Sequence, residues 1–209
     1  MHRPYLIDGY KFDLRIYVLI SGIAPLRMYV YKDGLARFAT VKYQNPNPKN
    51  LSNLQMHLTN YAINKNNDNF VQNCAEDSDG DVRDDGTHKR SLQSLVYSLK
   101  CMGKPYRRMK EGIDDLVVKT LIVAQPHLSH IYKTGQPEDV ENSLCFQILG
   151  FDVLIDEDCK PWLIEVNQSP SFKADSALDR RIKEKLVADS INLLNLSTKR
   201  KQKWISENR

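Results

Sequence analysis

At 209 residues, 41% of them hydrophobic and 27% charged, the chain has the composition of a soluble globular protein, long enough for one compact body or two closely packed lobes. No apolar run approaches the roughly 20 residues that span a bilayer, and the opening MHRPYLIDGY lacks the apolar core of a signal peptide, so no membrane association and a cytosolic location are expected. The formal net charge is a modest +4, and Cys74, Cys101, Cys145 and Cys159 show no C-x-x-C spacing, which signals neither zinc nor a disulfide framework and predicts reduced thiols.

In chain order, KFDLRIYVLI (11–20), LRMYVY (26–31) and LARFAT (35–40) read as successive strands, with turns at Gly22-Ile23-Ala24-Pro25 and Lys32-Asp33-Gly34. A polar stretch from Gln44 to Asn53 reads as a loop, and so does the acidic 73–89, which lacks the full pattern of a calcium loop. HLTNYAINK (57–65) offers a hydroxyl and several amides suited to orienting phosphate and carboxylate oxygens, and reads equally as a helix start with Thr59 or Asn60 as N-cap. Helical periodicity marks 91–99 and 112–132, the second with a kink or break at Pro126. A strand pair, 145–156 and PWLIEVN (161–167), leads to an amphipathic helix over about 175–196 that begins near Asp175-Ser176. The basic runs GKPYRRMK (103–110) and STKRKQK (197–203) suit an acidic partner, but without regularly interleaved aromatics they do not suggest nucleic acid.

Three strands carry a charged face backed by an apolar one. Lys11, Asp13 and Arg15 alternate with Phe12, Leu14 and Ile16; Asp152 lies between Phe151 and Val153; Glu165 and Asn167 alternate with Ile164 and Val166 in what reads as a buried strand. An edge strand with a solvated polar face would look similar. The chemistry that suits these groups is magnesium-assisted phosphoryl transfer, because magnesium favours oxygen ligands and is held by one or two carboxylates together with substrate phosphates. Asp152, Glu165 and Asn167 supply such oxygens, with Glu165 suited to bridge two ions, while Lys11 and Arg15 suit phosphate charge and the charge that moves in transfer.

LIDGYKFDLRIYVLI, GLARFAT, HLTNYAINK, GTHKRSL and ILGFDVLIDEDCKPWLIEVNQSPSF resemble, in order, the motifs of the tubulin tyrosine ligase-like family in its glutamylating branch, over most of residues 4–196. The resemblance implies an α+β, ATP-grasp-like fold with a mostly antiparallel sheet and flanking helices. It implies an ATP-dependent ligase that uses two magnesium ions to add free L-glutamate, through an acylphosphate, to side chains of the acidic C-terminal tails of tubulin. By motif position Lys11, Asp13, Thr59 and Asn60 resemble nucleotide contacts, and Asp152, Glu165 and Asn167 resemble the magnesium ligands. Arg15 and Glu165 resemble catalytic groups, and Arg37, Tyr61 and Lys89 the amino-acid pocket, where two cations suit a dicarboxylic substrate. In this reading residues 1–196 are part of a catalytic domain and 197–209 a basic tail; a monomer at the cytoskeleton, cilium, flagellum or basal body follows from the family alone. A family member carries an N-terminal lobe and a Gly-rich phosphate loop ahead of RPYLIDGYKFD. No such loop occurs in these 209 residues, so weak or absent ATP affinity is expected. The alternatives are an inactive, truncated member serving as a microtubule-binding module, or a ligase for glycine or tyrosine.

Overall fold

A computed structural model of the chain describes residues 3–71, 86–139, 144–195, 202 and 205–207. The central strand is β2 (Tyr10–Ile23), flanked by β3 (Leu26–Phe38) and β5 (Gln147–Ile155), with β4 (Lys89–Ser91) and β6 (Pro161–Asn167) outside them and a short β1 (Leu6–Ile7) pairing with β2. Every pairing is antiparallel, so the six-stranded sheet with its helices is the expected α+β arrangement. The strand order is β4-β3-β2-β5-β6.

Alternation along β2 divides the molecule. Phe12, Leu14, Ile16, Val18 and Ile20 enter a core on one face, joined there by Phe38, Phe151 and Val153. After two single-turn helices, α1 (Leu54–His57) and α2 (Tyr61–Asn64), two longer ones close it, α3 (Leu92–Cys101) and α4 (Tyr106–Gly135), through Leu95 and Leu99 and through Met109, Ile113, Val117 and Leu121 at four-residue spacing. Burying each large side chain of this kind contributes about 1.5–3 kcal/mol relative to leaving it in water. On the opposite face α5 (Ala177–Leu194) covers only part of the sheet, packing Leu178, Ile182 and Leu186 against Tyr17 and Leu35. The charged side chains fill the rest of that face.

The expected turn at Lys32-Asp33-Gly34 is instead a bulge inside β3, which runs unbroken through it. Ile16 pairs with Gly34 and Val18 with Val30, so three residues of β3 lie opposite Tyr17. Asp33 folds inward there, and its Oδ1 accepts from the backbone N–H of Gly34 at 2.8 Å and from that of Gln93 at 3.2 Å, capping the start of α3. A Cβ on Gly34 would lie 2.4 Å from the Arg15 carbonyl oxygen, a collision only backbone movement relieves. Gly34→Ala is therefore expected to cost about 1–3 kcal/mol, read as a lower urea midpoint; an unchanged midpoint would contradict this strand packing.

Pro126 does not break its helix either. It lacks the N–H that would meet the Ile122 carbonyl, yet α4 continues through it to Gly135. Next to it, Gln125 Nε2 donates to the Ile23 carbonyl at 2.9 Å and ties α4 to the end of β2. The loop over residues 44–53 is as expected, as is the last helix, whose N-cap Ser176 accepts from the Asp179 N–H. Lys89, read as part of a loop, lies on β4. Most of the acidic stretch, Cys74 included, and nearly all of the basic tail fall outside the described residues, among which Cys101, Cys145 and Cys159 are free thiols. No helix among the described residues is long and apolar enough to cross a membrane.

Candidate active site

Strand register gathers the charged residues. On the face opposite the main core, Asp13 of β2 pairs with Arg37 of β3, which pairs in turn with Lys89 of β4. One step along β2, Arg15 pairs with Asp152 of β5, which pairs with Glu165 of β6. Five strands thus deliver six ionisable groups, scattered between positions 13 and 165, to one surface. The sheet forms this face because residues two apart on a strand share a side and partners across strands share it too.

The interior of the row is a closed ionic network. Arg15 grips Asp152 with both prongs, Nε to Oδ1 at 2.5 Å and Nη2 to Oδ2 at 3.0 Å. Arg37 grips Asp13 likewise, with Nε at 2.9 Å and Nη2 on the second oxygen, and the same Nη2 lies 2.8 Å from Asp152 Oδ2. Asp13 and Asp152 are only 3% and 4% exposed. Burial works to raise the Asp152 pKa, yet the Arg15 and Arg37 contacts prevail and hold it below the ordinary carboxylate value. Burial likewise opposes the Arg37 charge, and Asp13 and Asp152 more than compensate, leaving its pKa raised.

A group whose folded pKa is depressed stabilises the fold above its unfolded pKa, and that stability is lost as pH falls through the folded value. The stability gap between the chain and its Asp152→Asn variant should therefore be wide near pH 7 and narrow toward about pH 3. Urea unfolding at both values checks this, and a gap independent of pH would count against the arginine clamp.

Beyond Arg37 the network continues through groups the sequence did not single out. Lys89 Nζ donates to Asp179 Oδ2, and Lys183 Nζ lies 3.1 Å from the other oxygen of the same carboxylate. Asp179 is fully buried. Its sequence signal, Ser176-x-x-Asp179 at a helix start, reads as a capping pair, and Ser176 does cap the helix; nothing in the spacing reveals the two lysines. Lys183 also donates to the Lys173 carbonyl, tying α5 to the segment after β6. Burial lowers the Lys89 pKa, with Asp179 acting against the shift. The ion-paired set joins four cations (Arg15, Arg37, Lys89, Lys183) to three carboxylates (Asp13, Asp152, Asp179).

The 57–65 segment meets this row at one side. Lys11 Nζ donates to the His57 carbonyl at 2.7 Å, and the Lys89 ammonium lies 4.7 Å from the centre of the Tyr61 ring. Burial lowers the Lys11 pKa, with Asp13 pulling the other way. Asn64, also unmarked in the sequence reading, shapes the segment. Its Oδ1 accepts from the Thr40 N–H at 3.0 Å and hydroxyl at 2.8 Å, while its Nδ2 donates to the Leu58 and Asn60 carbonyls. Thr59 is buried beside this turn and Asn60, the N-cap position of a four-residue helix (Tyr61–Asn64), is exposed without a side-chain capping bond. Among the described residues neither side chain bonds to the ionic row. Tyr61, Lys89 and Arg37 do come together; Thr59 and Asn60 stand apart from the arginines and carboxylates.

At the other end the structure corrects the reading of PWLIEVN as a buried strand: β6 is an edge, exposed along its middle, with Trp162, Leu163, Ile164 and Val166 all open. A bulge also interrupts its alternation, since Asp152 pairs with Glu165 but Val153 pairs with Leu163, leaving Ile164 unpaired. Glu165 is exposed and has no ion-pair partner among the described residues. Asn167 Oδ1 accepts from the Ser169 N–H at 3.0 Å and has a second lone pair. Among the described residues no group of three or more His, Cys, Asp and Glu could by itself hold a metal. The exposed Glu165 carboxylate and the spare lone pair of Asn167 suit a hard divalent cation completed by substrate phosphates, and Asp152 would join them only by giving up one of its arginine contacts.

The sequence model of the tubulin-tyrosine ligase family matches residues 1–203. The chain is 47% identical over 207 residues to a protein named probable beta-tubulin polyglutamylase from Tetrahymena thermophila, covering 99% of this chain and 17% of that one. It is 47% identical to tubulin polyglutamylase TTLL6 of Mus musculus, with 99% and 24% covered, and 42% identical to tubulin polyglutamylase TTLL7 of the same organism, with 99% and 22% covered. It thus spans about a quarter or less of the length of these relatives. With a family match over nearly the whole sequence, and an antiparallel sheet that gathers the matching motifs, the chain belongs to the tubulin-tyrosine ligase family.

Proposed function

We propose that the chain is a catalytic portion of a tubulin glutamate ligase, which joins free L-glutamate to glutamate side chains in acidic tubulin tails. The observation that carries this reading is the Asp152–Glu165 pair across β5 and β6, set beside an arginine-rich row and opening at an exposed edge. ATP, when bound with two magnesium ions, supplies the phosphoryl group that activates the acceptor carboxylate as an acylphosphate. Glu165, Asn167 and the Asp152 carboxylate would hold the metal, and Lys11 would meet phosphate oxygens with the donors it does not spend on His57. Arg15 sits against Asp152, where its charge offsets the negative charge that moves in transfer.

The amino-acid substrate belongs at the Arg37–Lys89–Tyr61 corner. Arg37 and Lys89 are neighbours across strands, and the Tyr61 ring lies against the Lys89 ammonium; to take up a substrate the two cations would exchange contacts with Asp13, Asp152 and Asp179. Two cations match a dicarboxylic amino acid better than glycine or tyrosine. The names of the relatives, all polyglutamylases, support the same choice. Action on tubulin places the protein at the microtubule cytoskeleton, cilia included.

Mass spectrometry of tubulin tails after incubation with the chain, ATP, magnesium and glutamate tests the proposal. Tails heavier by whole glutamate residues, with the chain but not with Glu165→Ala, support it. Silence from the chain and also from a longer protein that contains it would favour a microtubule-binding module instead.

A further inference from the structure

Asp179 and Lys183 stand one turn apart at the start of α5, and both are buried there, at 0% and 8% exposure. The apolar packing of this helix on the sheet comes from Leu178, Ile182 and Leu186, so the charged pair faces the sheet for another reason. Asp179 Oδ2 accepts from Lys89 Nζ and, at 3.1 Å, from the Ser176 hydroxyl. Its Oδ1 makes no hydrogen bond among the described residues and faces Lys183 Nζ at 3.1 Å. One buried carboxylate therefore has two lysines, where a single cation would neutralise it. Lys183 has a second anchor in the Lys173 carbonyl, which holds its ammonium beside Asp179 whether or not Lys89 stays.

We propose that Asp179 is a positioning residue for Lys89 in the amino-acid pocket, and that Lys183 takes over the Asp179 carboxylate when a substrate carboxylate takes Lys89. The inference rests on the ligase reading, in which Lys89 meets glutamate. Before substrate arrives, Asp179 keeps the Lys89 ammonium charged and aimed past the Tyr61 ring, 4.7 Å from its centre; burial opposes that charge and Asp179 supports it. The incoming carboxylate has to win Lys89 from Asp179. Without a second cation, the exchange would leave a carboxylate buried and unpaired, a cost that would cancel most of what the substrate gains. With Lys183 in place, its ammonium closes on the open Oδ1 while Ser176 stays on Oδ2, so one ion pair is traded for another. The second lysine is thus what makes the first one available.

The test is heteronuclear NMR of isotope-labelled lysine side chains in the full chain, with the Lys89 ammonium signal assigned by its absence from Lys89→Arg. Titrated L-glutamate should shift that signal saturably. In Asp179→Asn the Lys89 pKa should fall, since the supporting charge is gone, and glutamate should bind about tenfold or more weakly. In Lys183→Met the Lys89 pKa should rise instead, because a repelling cation is removed. Glutamate should nevertheless bind about tenfold or more weakly there too, because Asp179 then has no other cation to accept it. Opposite pKa shifts with the same loss of binding distinguish the exchange from a general loosening of the fold, which would move both variants in one direction. Lys183→Met carries the test by itself if Asp179→Asn does not fold. Unchanged or tighter glutamate binding in Lys183→Met overturns the inference and leaves the ligase reading standing. Glutamate that leaves the Lys89 signal untouched in the unaltered chain overturns the amino-acid pocket itself, and this inference with it.

Discussion

Arg37→Ala is expected to lower the stability of the chain by about 3–5 kcal/mol, because it leaves a buried carboxylate without its ion-pair partner. Arg37 is the guanidinium that grips Asp13 with both prongs, and its shared Nη2 also reaches Asp152. Asp152 keeps Arg15 after the change, while Asp13, only 4% exposed at its side chain, loses its ion pair and keeps only the longer-range attraction of Lys11. Since domains are stable by about 5–15 kcal/mol in total, the variant should sit close to its unfolding limit at room temperature. Urea unfolding reads the loss directly. Arg37→Lys should recover part of it, because a lysine restores the charge without the planar fork. A change within about 0.5 kcal/mol for Arg37→Ala would mean that water already reaches Asp13 and that the network is weaker than its burial suggests.

Glu165→Gln should do the reverse: little to the fold and much to the chemistry. The side chain is exposed on an edge strand and holds no ion pair among the described residues, so stability should move by no more than about 0.5 kcal/mol. Loss of one magnesium carboxylate should lower glutamate addition by about a hundredfold or more. A readout independent of turnover is available in manganese, which occupies magnesium sites. Paramagnetic broadening of the β5 and β6 amide signals should appear in the chain and fade in Glu165→Gln. Broadening that persists in Glu165→Gln would remove this residue from the metal site. The contrast between the two variants matters for interpretation, since lost activity in Arg37→Ala mixes substrate contact with folding and lost activity in Glu165→Gln does not.

The alternation of Lys11, Asp13 and Arg15 with Phe12, Leu14 and Ile16 was legible because a strand buried on one face must separate polar from apolar at every second residue. The hairpin of 145–156 with 161–167 and the capped final helix were legible for similar local reasons: Asp156 closes the hairpin turn by accepting from the Asp158 and Lys160 N–H groups, and Ser176 caps the helix. Other features left no local trace. Strand β4 is three residues long, too short for a period to show, and exists because β3 offers it an edge. The Lys32-Asp33-Gly34 bulge has the residues of a turn, but β3 pairs with β2 on both sides of it and Asp33 turns in to the Gln93 N–H, so the strand continues. Pro126 has the identity of a breaker, yet α4 runs on through it, packed on the sheet by Met109, Ile113, Val117 and Leu121 and tied to β2 by Gln125.

The sequence by itself determined which residues carry oxygen and charge, which of the strands β2, β3, β5 and β6 they occupy, Lys89 on β4 excepted, and the family whose motifs they resemble; short-range alternation and capping are written in neighbouring positions. Only the tertiary structure decided which charges meet. Asp13 lies 24 positions from Arg37, Arg15 lies 137 from Asp152, and Lys89 lies 90 from Asp179, yet each pair is in contact. Contacts of that kind depend on sheet register and on the docking of α5, and both are set by how the whole apolar surface is buried at once, which no local stretch of the chain encodes.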